Sequence, residues 1–228
     1  MLSPIEIEAL ALSLRVAGVS VVFSLPLGVA VAYLLARRDF WGKTVVDGLV
    51  HLPLVVPPVV VGYLLLLALG RRGPVGGWLH DSLGITVIFT WKGAAIAAAV
   101  MAFPLMVRAI RLSLDAVDTR LEAAARTLGA GPIRVFATIT LPLTAPGILT
   151  GTVLAFARSL GEFGATITFV SNIPGQTRTL PLALYTLIQQ PDGEAAAARL
   201  AVISIALALA ALFASEILAR RVKRRIGL

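Results

Sequence analysis

The sequence contains no cysteine and few charged residues. Without cysteine, neither a disulfide nor a thiolate-bound metal can form. Only 14% of the 228 residues are Asp, Glu, Lys or Arg, whereas a typical soluble domain has about 25%. With 58% hydrophobic residues and a mean hydropathy of +0.91, the chain has too little polar surface to be stable in water. A membrane is therefore its natural solvent.

The sequence also lacks the residue patterns of a metal site, an ATPase and an enzyme. His51 and His80 stand alone, without the spacing of metal ligands. Gly42–Thr44 resembles the end of a phosphate-binding loop, but Arg37 stands where that motif needs its first glycine. Neither a Ser/His/Asp or Cys/His set nor a pair of intramembrane carboxylates is evident. We therefore expect no catalytic residue, no metal site and no cofactor bound by this chain.

Five apolar stretches each approach the ~17–25 residues that a spanning helix needs. A span must satisfy its own backbone hydrogen bonds, and the alternation typical of outer-membrane strands is absent, so helices are expected. The sequence predicts an all-α membrane protein with one transmembrane domain, 1–228, and five transmembrane helices at about 10–36, 48–69, 90–110, 138–160 and 198–219. Interior prolines are expected to bend or break most of these helices; they are Pro26, Pro53, Pro57, Pro58, Pro104 and Pro146.

Basic residues are distributed unevenly between the predicted connections. The segments 37–47, 108–134 and 220–228 contain 13 of the 20 Lys and Arg residues, and the connections on the other side contain five. Lys and Arg accumulate on the cytoplasmic side of membrane proteins, which predicts an outside N-terminus and a cytoplasmic C-terminus. The same rule accounts for the net charge of +8, so we expect no nucleic-acid partner. The first apolar run is too long for a cleavable signal peptide and is expected to remain as a helix.

Residues 121–142, LEAAARTLGAGPIRVFATITLP, interrupt the apolar pattern. The stretch from Leu121 to Leu128 predicts a short helix, because it is rich in Ala with Leu, Glu and Arg. Asp118 or Thr119 would cap its start, and Gly129 would end it. On the predicted topology this helix lies in the cytoplasm. It is too small to bury a core of its own, so we expect it to bind a groove in another protein.

The spacing in this segment resembles the EAA loop of ABC-importer permeases, in which E-A-A is followed by Gly and then by I-x-L-P. The resemblance implies a type I ABC importer permease fold with a cytoplasmic coupling loop at about 112–137, whose short helix sits in a groove of an ATP-hydrolysing subunit. Glu122 would fix this helix through an i, i+4 pair with Arg126, or meet a basic group of the partner. The residues predicted to act in ATPase coupling are Glu122, Ala123, Ala124, Arg126, Gly129, Leu141 and Pro142, and Ile139 completes the motif.

Two further stretches, 51–66 and 157–181, are similar to the oxyanion branch of that family. With the loop, they resemble molybdate permeases over about residues 10–220. The resemblance implies a multi-pass inner-membrane homodimer, two cytoplasmic ATPase subunits that hold ATP and Mg²⁺, and an extracytoplasmic molybdate-binding protein. Sulfate and tungstate remain alternatives for the cargo, and a heterodimer remains an alternative for the assembly. A secondary transporter, a channel and a scaffold remain alternatives for the class.

A second candidate site lies in 158–164, RSLGEFG, at the end of the fourth predicted span. The glycines around Glu162 predict a helix break. If the helix continued, Arg158 and Glu162 would form an i, i+4 ion pair. Alternatively, Arg158 would attract a dianion and Glu162 would hold a gate, because ionisable groups inside a membrane often mark a transport path. Ser159 belongs to the same candidate gate or anion path, and the hydroxyls of Thr166, Thr168 and Ser171 would then hydrate that path.

Overall fold

The computed structural model describes residues 3–226, and these contain eleven α-helices, one π-helical turn and no strand. The all-α prediction is confirmed. In chain order the helices are α1 Pro4–Arg37, α2 Lys43–Val55, α3 Pro58–Leu69, α4 Pro74–Leu83, α5 Trp91–Asp115, α6 Thr119–Thr127, α7 Pro132–Val135, α8 Leu141–Leu160, α9 Gly164–Val170, α10 Leu180–Ile188 and α11 Glu194–Ile226. The π-helical turn, Phe136–Thr140, joins α7 to α8.

Four segments of the described chain are long and apolar enough to cross a membrane as single helices. They are α1, α5, the continuous segment Pro132–Leu160 and the part Glu194–Arg221 of α11. The pair α2 and α3 is long and apolar enough when taken together, but the chain bends by 117° between the two helices. The described chain therefore has five spans if this bent pair counts as one. The predicted span 48–69 is not one helix.

The interior prolines interrupt fewer helices than expected. Pro57 and Pro58 separate α2 from α3, and Val56 before them is extended, with φ −76° and ψ 138°. A residue that precedes proline is disfavoured in the helical region, which explains this break. The remaining prolines lie inside continuous helices and do not break them. These residues are Pro26, Pro53, Pro104 and Pro146.

Helix α5 lies at the centre of the bundle and packs against α1 and α8. Its buried face is rich in alanine, including Ala94, Ala97 and Ala98. On α8, a Cβ added at Gly147 would lie 2.1 Å from Cβ of Ser113 in α5. Small residues at both surfaces let the helix backbones approach closely, as in other membrane bundles. Consequently α5 holds α1 and α8 side by side.

The first turn of α1 is tied to the last helix of the chain. Ser3 caps α1, and Glu6 reaches back to accept a hydrogen bond from the backbone N–H of Ser3, forming a capping box. Glu6 also accepts from Arg199 of α11 at 3.1 Å. Further along, Ser13 Oγ accepts from the N–H of Leu180 at 2.7 Å. These contacts fix α1 at the end of the bundle opposite Arg37.

Candidate functional site

The short helix predicted in the polar loop is present as α6. Asp118 is its N-cap, and its carboxylate accepts a hydrogen bond from the N–H of Arg120 at 2.9 Å. Gly129 follows the helix with φ +84°, in the left-handed region that glycine adopts at low cost. Because α5 continues to Asp115 and α7 begins at Pro132, the connection is shorter than the predicted 112–137.

Glu122, in the first turn of α6, faces its own chain. It is 5% exposed. Its Oε1 lies 3.2 Å from Nη2 of Arg37 and accepts a hydrogen bond of 2.9 Å from the Thr140 hydroxyl. Arg126, the partner predicted from the spacing, is 3.9 Å from the other carboxylate oxygen and is 58% exposed. Of the two predicted roles for Glu122, the geometry favours fixing the helix over meeting another protein.

The opposite face of α6 is open. Ala123 and Ala124 are exposed there, and so is Gly129. Beyond the helix, Leu128 is 89% exposed and Ile133 is 83% exposed. The EAA-type spacing did not single out these two aliphatic residues. A signal was nevertheless present, since these two large aliphatic residues flank the turn Gly129–Pro132, which is made of small residues and proline.

Leu141 and Pro142, the end of the predicted motif, begin α8 rather than line the open face of α6. Pro142 has no N–H to donate to the carbonyl of Thr138, and its ring crowds that carbonyl. The preceding turn is widened to a π-helix, in which the N–H of Leu141 donates to the carbonyl of Phe136. The turn ends at Thr140, whose hydroxyl reaches Glu122. Pro142 thus lies two residues after Thr140, at the junction of the π-helical turn and α8.

The second candidate site lies where α8 ends and α9 begins. Arg158 Nη1 is 2.7 Å from Glu162 Oε2, so the predicted ion pair is present although α8 ends at Leu160. The other oxygen of Glu162 accepts from the N–H of Ala165 at 2.9 Å and so caps α9. Glu162 is 3% exposed. Its carboxylate therefore connects the two helices across the break.

The Ser and Thr residues of the second candidate site differ in their surroundings. Ser159 is buried and accepts a hydrogen bond of 3.0 Å from Ser20 of α1. Thr166 is also buried, in α9. Two residues later, Thr168 donates to the carbonyl of Gly164 at 2.9 Å, so its proton is already engaged. Ser159 thus links the break to α1, a contact that the sequence did not predict.

The bend between α2 and α3 lies next to the break between α8 and α9. A Cβ added at Gly62 of α3 would lie 2.6 Å from the carbonyl oxygen of Ala165 in α9. A Cβ added at Gly164 would lie 2.8 Å from Cβ of Pro58. Glycine is thus required on both sides of this contact. The bend between α2 and α3 and the break between α8 and α9 are packed against each other, backbone against backbone.

A further charged pair connects α2 to α5. Arg111 Nη1 donates to both carboxylate oxygens of Asp47 at 3.0 Å, and Asp47 also lies 3.2 Å from the ring of His51. Arg111 and Asp47 are 64 residues apart in sequence, so their ion pair could not be predicted from spacing. Among the residues described, no three His, Cys, Asp or Glu side chains come together as metal ligands.

Solved structures with a similar fold are ABC importers. A bacterial ABC transporter involved in the import of the acidic polysaccharide alginate superimposes with a TM-score of 0.76 at 20% identity, over 96% of this chain and 80% of that one. The methionine ABC transporter MetNI, in an inward-facing conformation, gives a TM-score of 0.75 at 18% identity, over 97% of this chain and 99% of that one. At these identities the likeness shows the fold alone.

Sequence comparison gives the family. The chain is 66% identical to the molybdenum transport system permease protein ModB of Escherichia coli K12 and 58% identical to that of Haemophilus influenzae, in each case over 97% of both chains. A putative molybdenum transport system permease protein of Bacillus subtilis is 42% identical over 78% of both. Residues 24–224 match the family described as binding-protein-dependent transport system inner membrane component. The chain therefore belongs to this family of inner-membrane permease subunits.

Proposed function

We propose that this chain is the permease subunit of an ATP-driven importer that moves molybdate across the inner membrane. The cargo is supported by the identity of 66% over nearly the whole chain to a molybdenum transport permease. The coupling to an ATPase subunit is supported by one structural observation. Helix α6 is fixed to its own bundle through Glu122, while its alanine face is open. An exposed small-residue helix between two spans is suited to docking in a groove of a partner.

The proposed assembly has two copies of this chain, two cytoplasmic ATPase subunits that bind ATP and Mg²⁺, and a binding protein outside. The excess of basic residues in the connections after α1 and α5 and in the C-terminal tail supports a cytoplasmic α6, with the N-terminus outside and the C-terminus inside. ATP hydrolysis belongs to the partner chains. A transport path should hold its ion weakly enough to release it, so the binding protein supplies most of the selectivity.

The direct test is ATP-dependent uptake of labelled molybdate into vesicles that contain this chain, its ATPase and its binding protein. Molybdate uptake that resists excess sulfate is expected. Strong competition by sulfate or by tungstate would reassign the cargo within the oxyanions. Flux without ATP would instead indicate a secondary transporter or a channel, and the absence of any flux would favour a scaffold.

Leu128 is expected to anchor the ATPase. A few well-packed, fully desolvated residues near the centre of an interface carry most of its binding energy, and Leu128 is 89% exposed in the isolated chain and so free to fill such a pocket. Leu128→Asp should therefore reduce copurification of the ATPase by about tenfold or more, because a buried, unpaired carboxylate strongly opposes docking. The matched control is Leu83→Asp in α4, which places the same charge on an exposed leucine at the other end of the bundle. Equal loss in both variants would contradict this anchor.

Arg158 and Glu162 are proposed to hold the break between α8 and α9. Arg158→Ala would leave the buried Glu162 carboxylate without its 2.7 Å partner, and removing one member of a buried pair is strongly destabilising. Uptake should fall at least about tenfold, while the ATPase stays bound. The double variant Arg158→Ala/Glu162→Ala should recover part of that loss.

The double variant also separates the two roles predicted for Arg158. If Arg158 attracts the dianion, removing Glu162 as well would not restore uptake, and the molybdate concentration for half-maximal uptake would rise. Unchanged uptake and unchanged ATPase activity in Arg158→Ala would exclude both the anion-attracting role and the gate.

A further inference from the structure

We propose that Arg37, the last residue of α1, is a positioning residue that clamps the coupling helix α6 to the transmembrane bundle. This proposal rests on the proposed function for its meaning in transport, but its geometry stands by itself. Neither the motif spacing nor the family comparison assigns a role to Arg37. The sequence pattern counts Arg37 among the basic residues that predict the membrane orientation, without a contact of its own.

The clamp consists of two contacts from one nitrogen. Nη2 of Arg37 lies 3.2 Å from Oε1 of Glu122 and donates a hydrogen bond of 3.3 Å to the carbonyl of Val117. The side chains of Arg37 and Glu122 are 12% and 6% exposed. An ion pair so shielded from water is screened by salt far less than a surface pair. Arg37 therefore holds both the start of α6 and the connection that leads from α5 to it.

Three spans meet at the ion pair between Arg37 and Glu122. Arg37 ends α1, Val117 follows α5, and Thr140, the other partner of Glu122, leads into α8. Next to the clamp, the ring of Tyr33 in α1 packs edge-on against Phe136 of the π-helical turn, with 5.2 Å between the ring centroids. Displacement of α6 by a docked partner is thus transmitted to the ends of α1, α5 and α8 together.

Neighbouring charges do not compete for Arg37. Lys43 donates to Asp39 at 2.8 Å, and that hydrogen bond holds the pKa of Asp39 below its ordinary range. The carboxylate of Asp118 is engaged in capping α6. Within the described part of the chain, Glu122 is the carboxylate that pairs with Arg37. Arg37 and Glu122 therefore form an ion pair with each other rather than with the neighbouring charges.

The chain offers a matched control for this proposal. Arg38 follows Arg37 directly, has the same charge and side chain, and is exposed. Arg37→Ala and Arg38→Ala both remove one positive charge from the same connection, so they affect membrane orientation equally. Arg37→Ala alone removes the clamp. Thr140→Val provides a second route, because valine keeps the shape of threonine but lacks the hydroxyl that reaches Glu122.

The first experiment needs neither the ATPase nor the cargo. Trypsin is added to the purified full-length permease, and the rate of cleavage after Arg120 and Arg126 in α6 is measured. Cleavage depends on local opening of the helix, and losing a hydrogen bond to a charged group should increase it by about tenfold. We expect this increase in Arg37→Ala, a smaller one in Thr140→Val and none in Arg38→Ala. Equal rates in Arg37→Ala and wild type would overturn the clamp.

The second experiment measures coupling in the full complex. With Arg37→Ala, the ATPase should remain bound and hydrolyse ATP, while the molybdate taken up per ATP falls about tenfold, because the same contacts transmit the motion. Arg37→Lys should recover part of the uptake, and so should the charge-reversed pair Arg37→Glu/Glu122→Arg. A purely structural role would lower uptake and ATP hydrolysis in parallel. If the wild-type complex itself took up no molybdate, the proposed function would fail, and the trypsin result would still decide the clamp.

Discussion

Glu122→Lys is expected to abolish molybdate uptake and to release the ATPase. The substitution removes the partner of Arg37 and places a second cation in a pocket where the Glu122 side chain is 6% exposed. Breaking a buried pair by removing one partner costs about 3–5 kcal/mol, and repulsion between two cations adds to it. The first turn of α6 should therefore leave its position, and the open face would no longer be presented in one orientation. Copurification of the ATPase and ATP-dependent uptake in vesicles are the measurements.

Glu122→Gln is the control for this prediction. Glutamine keeps the size of the side chain and can still accept the hydrogen bond from the Thr140 hydroxyl. It loses only the charge, so it should bind the ATPase more strongly than the lysine variant does. Full uptake by Glu122→Lys would mean that α6 is not a coupling helix. The secondary-transporter and channel alternatives would then return.

Gly62→Val is expected to eliminate uptake through a different cause. A Cβ at this position would lie 2.6 Å from the carbonyl oxygen and 2.9 Å from Cα of Ala165. These are backbone atoms of α9, which cannot rotate away as a side chain can. Overpacking costs typically about 1–3 kcal/mol, and more where the backbone must move. We expect α3 and α9 to separate, with a lower Tm of the purified permease and no measurable transport.

Gly18→Val provides the matched substitution for this test. Gly18 lies inside α1, and a Cβ added there meets nothing within 4 Å. Replacement of glycine in a helix also reduces the entropy of the unfolded chain. This variant should keep the wild-type Tm. A lower Tm in Gly62→Val but not in Gly18→Val supports the contact between α3 and α9. Similar losses in both variants would show that the cost comes from valine in a helix.

The ends of α6 could be predicted because they depend on neighbouring residues. Asp118 has a side chain that can accept hydrogen bonds from a free helix N-terminus, and Gly129 can adopt a positive φ. Both properties belong to the residue itself. The ion pair between Arg158 and Glu162 was predicted for the same reason, since its members are four residues apart. It survives the helix end because Gly161, with φ −91° and ψ 8°, stays close to helical backbone geometry.

Features that depend on distant residues could not be predicted in this way. The spacing suggested Arg126 as the partner of Glu122, but Arg37 lies closer, because α5 holds α1 beside the start of α8. The 117° angle between α2 and α3 was also missed. Paired prolines show where a helix must stop, whereas the direction of the next helix depends on what it packs against, here α9.

The dependence of α6 on Arg37 and Thr140 bears on inhibitor design. An isolated peptide is the obvious mimic of a docking helix, but helices shorter than ~12–15 residues are marginal in water, and α6 has nine. In the excised peptide the carboxylate of Glu122 would be hydrated, with neither of its partners to orient it. A competitive ligand based on this loop would need a covalent brace that replaces what α1 and α8 supply.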